Sequence, residues 1–208
     1  MVNRRILVAA LALALAGSAA AADMFNGRDF SGWELHTEPA AAIDSVFSVQ
    51  PGGVIAASGS PLGFLATKAS YRNYKLHVEW RWPGKTGNGG VLLHISEGPL
   101  DRVWPLSQQV QTKFGAVGDL LPMAGASFAE PLTGDKPALK AHIAPSSEKP
   151  AGEWNAADIV SRDGVIEVTV NGVLQNRISG AAPREGRVGF QLEGTPYELR
   201  AVTVTPLD

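Results

Sequence analysis

The sequence predicts an all-β protein folded as a two-sheet antiparallel sandwich, on three observations. Several segments alternate apolar and polar residues with period two. An Asn-Gly pair joins two of them. Gly and Pro punctuate the rest, with no long amphipathic helical pattern between. Short strands of this kind with tight turns are the signature of two packed sheets.

"YKLHVEWRW" (74–82) places Leu76, Val78, Trp80 and Trp82 on one face and Lys75, His77, Glu79 and Arg81 on the other. One apolar face with period two is a half-buried strand, and Pro83-Gly84 stops it. "GKTGNGGVLLHISEG" (84–98) is a glycine-rich turn feeding a second strand. Here Val91, Leu93 and Ile95 share a face, while Leu92 and His94 point the other way.

"QVQTKF" (109–114) sets Val110, Thr112 and Phe114 against Gln109, Gln111 and Lys113. "RVGFQLEG" (187–194) sets Val188, Phe190 and Leu192 inward and Gln191 and Glu193 outward. Ile166, Val168 and Val170 alternate up to Asn171-Gly172, a pair that tolerates the positive φ angles of a tight hairpin turn. "YELRAVTVTPL" (197–207) closes the chain as a strand; "VFSV", "GVIAA" and "LGFLAT" add short ones near the start. Residues 115–150 read as long loops, of a length that is uncommon unless they cover a site or are disordered.

The first residues stand apart. Arg4 and Arg5 precede an unbroken apolar run over 6–16, then small residues ending before Asp23. This is the pattern of a cleaved secretory leader; the apolar run is shorter than the roughly 20 residues of a membrane span. The expected organisation is a signal peptide over 1–22 and one sandwich domain over 23–208. The expected location is bacterial, periplasmic or secreted.

Of 18 basic and 20 acidic residues, two basic ones lie in that leader, so no basic stripe invites nucleic acid. There is no cysteine, hence no disulfide and no thiol nucleophile. Gly-x-Ser-x-Gly, His-Glu-x-x-His and the Glu-x-Asp-x-x-Glu word of sandwich-fold glucanases are all missing. No cofactor is expected, with a structural calcium held by loop carbonyls left open. The oligomeric state is open.

A set of short words occurs in order: "MFNGRDFSGW" (24–33), "GNGGVLLH" (87–94), "VWPLSQQVQ" (103–111), "GD" (118–119), "SSEKPAGEWN" (146–155), "VNGVL" (170–174) and "GRVGFQLEG" (186–194). Together they resemble the 3-keto-disaccharide hydrolase domain family across nearly the whole chain after the leader. The resemblance implies a concanavalin A-like, laminin G-like (jelly-roll) β-sandwich. It also implies cleavage of glycosides whose sugar is oxidised to a ketone at C3. The family word at 107–111 reads Ser-x-Glu-x-Gln, and this chain has Gln109 at its centre, an amide where the pattern has a carboxylate.

A C3 ketone acidifies the hydrogen on C2. Removing that proton gives an enolate, the C1–O bond breaks by β-elimination, and water adds back. Such chemistry needs a base near C2, a stabiliser of the C3 oxyanion and an acid for the leaving oxygen. The alternation offers His77, Glu79, Arg81, His94, Gln109, Gln111, Lys113, Gln191 and Glu193 as outward groups, expected to converge on one polar floor.

Within it Glu79 or His94 is the expected base and Arg81 the oxyanion stabiliser. Gln109, Gln111 and Gln191, with Lys113, bind hydroxyls. Asp119 and Glu130, on the long loop, supply the leaving-group acid or close the site. Trp104 stacks on a sugar face, and Asn88 sits where glycines let the backbone approach a ligand. Trp33 and Trp154 are expected as core or turn anchors, and His36, His77 and His142 as solvated or packed side chains. The bland reading of Glu79 and Arg81 is a surface ion pair contributing roughly 0–1 kcal/mol. The expected partner is a small carbohydrate, and the alternative to an enzyme is a non-catalytic carbohydrate-binding module.

Overall fold

A computed structural model describes residues 20–208. The expected leader (1–22) therefore lies outside the described residues except for its last three. Ala22 and Asp23 form β1, paired with the last strand through Ala22↔Val204.

The strands in chain order are β1 (Ala22–Asp23), β2 (Trp33–Glu38), β3 (Phe47–Val49), β4 (Ile55–Ala57), β5 (Leu62–Tyr71), β6 (Tyr74–Arg81), β7 (Gly90–Asp101) and β8 (Trp104–Gln111). Next come β9 (Leu120–Met123), β10 (Gly134–Asp135), β11 (Ala138–Leu139), β12 (Asn155–Arg162), β13 (Val165–Val170), β14 (Val173–Ile178), β15 (Gly186–Leu192) and β16 (Tyr197–Pro206). Among the described residues, the single α-helical turn spans Ile43–Val46.

All but β10 and β11, which pair only with each other, form two antiparallel sheets. One is eight-stranded, ordered β14-β13-β12-β6-β16-β4-β3, with β1 also on β16; the other is six-stranded, ordered β2-β5-β15-β7-β8-β9. The strands are predicted from alternation except β1, β2, β12 and those within 115–150. There the expected loop contains β9, which completes the six-stranded sheet, and the small β10–β11 pair. The apolar runs of these exceptions are too short, or too interrupted by small and polar residues, to register as periodicity.

The core lies between the sheets. Leu76, Val78 and Trp80 of β6 meet Leu65, Val91, Leu93, Val110, Phe190 and Leu192 of the facing sheet, all buried in one cluster. Each such large side chain contributes about 1.5–3 kcal/mol on burial. The inward set expected on β15 (Val188, Phe190, Leu192) is the set observed. The Asn171-Gly172 turn joins β13 to β14 with φ of 48° and 83°, as a type I′ turn requires.

One strand breaks its alternation. Between the pairs Arg187↔Ile95 and Gly189↔Leu92, Leu93 and His94 of β7 oppose the single residue Val188 of β15. His94 takes φ 56° in this bulge. A bulge inserts one residue and reverses the face taken by the residues after it. Ile95 accordingly packs with Leu92, Phe64, Ala66 and Val103 on the exterior of the six-stranded sheet rather than in the core.

Candidate functional site

The floor expected from alternation divides between the two exteriors of the sandwich. His77, Glu79 and Arg81 lie on β6, opposite its core residues, and face out from the eight-stranded sheet. Gln109 pairs with Leu92, and Gln191 with Phe64, on the exterior of the six-stranded sheet. Glu79 and Arg81 are therefore separated from the glutamines by the whole core.

Nor do they pair with each other. Glu79 Oε2 accepts from Arg200 Nε at 2.5 Å, and Arg81 is ion-paired with Glu198. Both guanidiniums lie over Trp154, at 4.6 Å for Arg81 and 4.2 Å for Arg200. Trp154 is thus an exterior clamp and not a core residue: its π face is occupied by cations on neighbouring strands. His77 bridges Asp158 and Glu79 on the same face.

His94 does not face solvent. It is wholly buried, and its ring lies between the sheets. Pro183 O can only accept, so Nδ1–H donates to it at 2.9 Å, and Nε2 accepts from Ser161 Oγ at 2.8 Å. Burial holds its pKa down at about 4, so it is neutral. The bulge turned this side chain inward, and the roles expected of His94, Glu79 and Arg81 lose their common surface.

Glu130 is also elsewhere. Its carboxylate accepts from the backbone N and Oγ of Ser179, each at 2.8 Å, fastening its loop to the end of β14. Burial raises its pKa, and these bonds outweigh that effect and leave it lowered. Glu130 anchors the loop rather than closing a site.

The remaining candidates do come together. On the six-stranded exterior, pairing aligns His36 with Phe64 and Phe64 with Gln191. One residue past the Phe190↔Val91 pair, Gln191 comes beside Gly90, which pairs with Gln111. Gln111 N donates to Asp119 O at 2.9 Å. A single line of residues therefore crosses the sheet from β2 to the start of β9. At about 4.8 Å per strand step, it is on the order of 25 Å long.

The middle of this line is an oriented amide chain. Gln191 Nε2 donates to Gln109 Oε1 at 3.1 Å, and Gln109 Nε2 donates to Gln111 Oε1 at 3.0 Å. Lys113 N also donates to Gln111 Oε1, at 3.3 Å. Gln111 Nε2 is the free donor end. Gln109 and Gln191 are 2% exposed and Gln111 8%, so the chain opens at Gln111. At the other end Gln191 Oε1 is buried without a partner.

The β7–β8 hairpin packs on the β2 half of the face. Val103 is buried against Phe64, Ala66, Leu92 and Ile95, with Trp104 packed beside it. The expected sugar-stacking role of Trp104 gives way to partial burial in this apolar cluster. Between the hairpin tip and β2 lies a cleft of ≈ 360 Å³ lined by His36, Thr37, Glu38, Arg102 and neighbours. His36 stacks on Phe64 at 4.9 Å. Burial, then Arg187, lowers its pKa.

Beyond Gln111 the face carries charge. Phe114 N bonds Gly87 O, and Thr112 N bonds Gly89 O, which brings Asn88 beside Lys113. Asn88 Oδ1 accepts from Gly89 N at 3.0 Å and holds the turn. Glu193, two residues beyond Gln191, has its pKa raised by burial and partly offset by Lys113. Phe114 is half exposed, because the chain leaves the sheet after Gln111.

Asp119 completes the line. Leu120 points into the core, so Asp119 points outward beside Gln111. It is 6% exposed, and Oδ1 accepts from His142 N at 2.8 Å and His142 Nδ1 at 2.6 Å. Glu193 joins this face as its place in the alternation implies. His36 and His142 join it as well, although from sequence both are expected only as solvated or packed side chains. For His36 the signal was present in "WELHTE", where Trp33 and Leu35 turn inward; His142 sits in irregular chain and left none.

Among the described residues, no group of three His, Cys, Asp or Glu side chains could hold a metal. No helix among them is long and apolar enough to cross a membrane.

The two packed antiparallel sheets define a concanavalin-type β-sandwich. Residues 20–205 match the 3-keto-alpha-glucoside-1,2-lyase-like domain, and the chain belongs to that family. Among solved structures it is similar to a glycosyl-hydrolase candidate from Parabacteroides distasonis, with 22% identity over 90% of this chain and 94% of that one, TM-score 0.67. It is also similar to SCLam, a non-specific endo-beta-1,3(4)-glucanase of family GH16, with 12% identity over 92% and 91%, TM-score 0.61. The carbohydrate binding module CBM66 from Bacillus subtilis aligns at 11% identity over 85% and 97%, TM-score 0.59. At these identities the likenesses establish the fold. No curated protein matches by sequence.

Proposed function

We propose that this chain cleaves the glycosidic bond of 3-keto-glycosides by elimination, on the exterior of the six-stranded sheet. The observation that carries the reading is the amide chain Gln191–Gln109–Gln111, which ends in a free donor at Gln111, next to Asp119 across the β8–β9 edge and two residues from Lys113, whose charge acts on Glu193. Amides present donors and acceptors to sugar hydroxyls without adding charge. The family match supports the substrate class.

The chemistry assigns roles by place. Gln111 Nε2 and the Lys113 ammonium stabilise the C3 oxygen as it gains charge on loss of the C2 proton. The enolate electrons then form the C1–C2 double bond, the ketone returns and the C1–O bond breaks. Glu193, whose raised pKa favours its protonated form, gives its proton to the departing oxygen. Water then adds across C1–C2. No electrons are gained or lost overall. Export by the leader over 1–22 belongs to the same proposal and puts the substrate outside the cytoplasm.

A chromogenic 3-keto-glucoside tests it. The chain should release the chromophore, and Gln111→Ala and Glu193→Gln should each lower kcat about 10²-fold or more. Absence of both release and binding removes the proposal. A second reading, a carbohydrate-binding sandwich without catalysis, is favoured by one observation: the central position of the amide chain is Gln109, not the carboxylate of the family word. Saturable binding without release would select that reading.

A further inference from the structure

We propose that His142, held by Asp119, is the base that takes the C2 proton; this rests on the reading of the six-stranded exterior as the substrate face.

Asp119 Oδ1 accepts from both the backbone N and the ring Nδ1 of His142, at 2.8 and 2.6 Å. A carboxylate only accepts, so Nδ1 carries the hydrogen and Nε2 keeps its lone pair when the ring is neutral. The two bonds fix the imidazole at two points. The carboxylate is 6% exposed, so water competes weakly for it, while the His142 side chain is 24% exposed. The dyad thus has a buried, orienting half and an accessible, proton-accepting half, which is the division a general base requires.

Position matches that division. Asp119 is the neighbour of Gln111 across the β8–β9 edge, through Gln111 N→Asp119 O and Gly118 N→Gln111 O, both 2.9 Å. The dyad therefore stands at the end of the amide chain that opens to solvent. The segment bearing His142 is held in place independently. Lys140 pairs with Leu120 in both directions, and Asn176 Nδ2 bonds Gly118 O, Lys140 O and Ala141 O.

The other histidines lack this combination. His94 has both ring nitrogens bonded inside the core, and His77 belongs to the opposite exterior. His36 lies at the far end of the line, five strand steps away.

In the step, Nε2 takes the proton from C2 and becomes N–H. The C2–H electron pair becomes the C2–C3 enolate bond, and the C3 carbonyl π pair moves to oxygen. Asp119 stabilises the resulting imidazolium without accepting its proton. His142 is then the catalytic residue and Asp119 a positioning residue.

The test compares the wild-type chain with His142→Gln and Asp119→Asn in heavy water, on a chromogenic 3-keto-glucoside. Hydrogen exchange at C2, chromophore release and equilibrium binding are followed together. His142→Gln should lose C2 exchange and release about 10²–10⁴-fold while its Kd changes less than threefold, and added imidazole should restore part of the rate to His142→Ala. The ¹⁵N shifts of His142 should report the Nδ1–H tautomer in the wild type and a tautomer mixture in Asp119→Asn. If the wild type cleaves and His142→Gln keeps its rate, the assignment of His142 falls and the substrate face stands. If the wild type neither exchanges C2 hydrogen nor cleaves, both fall. A single unchanged tautomer in Asp119→Asn removes Asp119 from its role.

Discussion

A Cβ placed on Gly90 would lie 2.6 Å from Gln191 Oε1 and 2.8 Å from Gln109 Nε2. The last glycine of the 84–90 turn therefore works by lacking a side chain: it leaves room for two amides from β15 and β8 to meet across β7. Gly90→Ala must push them apart. The expected cost is about 1–3 kcal/mol, the range of overpacking a tight site, with weaker sugar binding. Urea unfolding and a binding isotherm on the same variant check both effects.

The amide chain also constrains Gln109 itself. Gln109→Glu would set an acceptor against Gln111 Oε1 where a donor now stands. Relief requires Gln111 to turn over, which breaks its bond from Lys113 N. The variant should be less stable by roughly 1–3 kcal/mol. Gln109→Glu combined with Gln111→Ala should lose less than the two single changes added together, as expected for residues in one network.

Buried His94 makes stability depend on pH. Its folded pKa is about 4, against roughly 6.5 in an unfolded chain. Between those values the unfolded state binds more protons. Stability is therefore full above pH 6.5 and falls as pH drops toward 4, by up to roughly 3 kcal/mol. Urea midpoints at pH 7 and pH 4.5 should differ accordingly. His94→Gln should be weaker at pH 7 and show a smaller difference between the two.

The Arg81–Trp154–Arg200 clamp lies on the other exterior. Trp154→Ala should loosen the segment before β12 and cost on the order of 1–2 kcal/mol from lost cation–π contacts. With the core between, its kcat on a 3-keto-glycoside should stay within twofold of wild type. Glu79→Gln should behave likewise. A large loss of kcat at either position would place the reaction on the eight-stranded face.

Alternation made the fold legible because each strand buries one face, and burial selects apolar residues at every second position. It grouped Gln109 with Gln111 and Glu79 with Arg81 correctly within their strands. Alternation is blind to which of two exteriors a polar face joins, since both present the same pattern. The one-residue bulge at His94 was equally hidden: in the sequence the run 91–95 is as regular as any other.

What the sequence by itself determined is the sandwich, the inward residues of its regular strands outside Ile95 and Phe114, its hairpin turn and the family to which it belongs, all of which come from local pattern or ordered words. Only the tertiary structure decided that His94 turns inward, that Glu79 and Arg81 leave the glutamines, and that Asp119 grips His142 across 23 residues. Those outcomes depend on strand register and on packing between distant segments, and register is fixed only when both sheets close over a shared core.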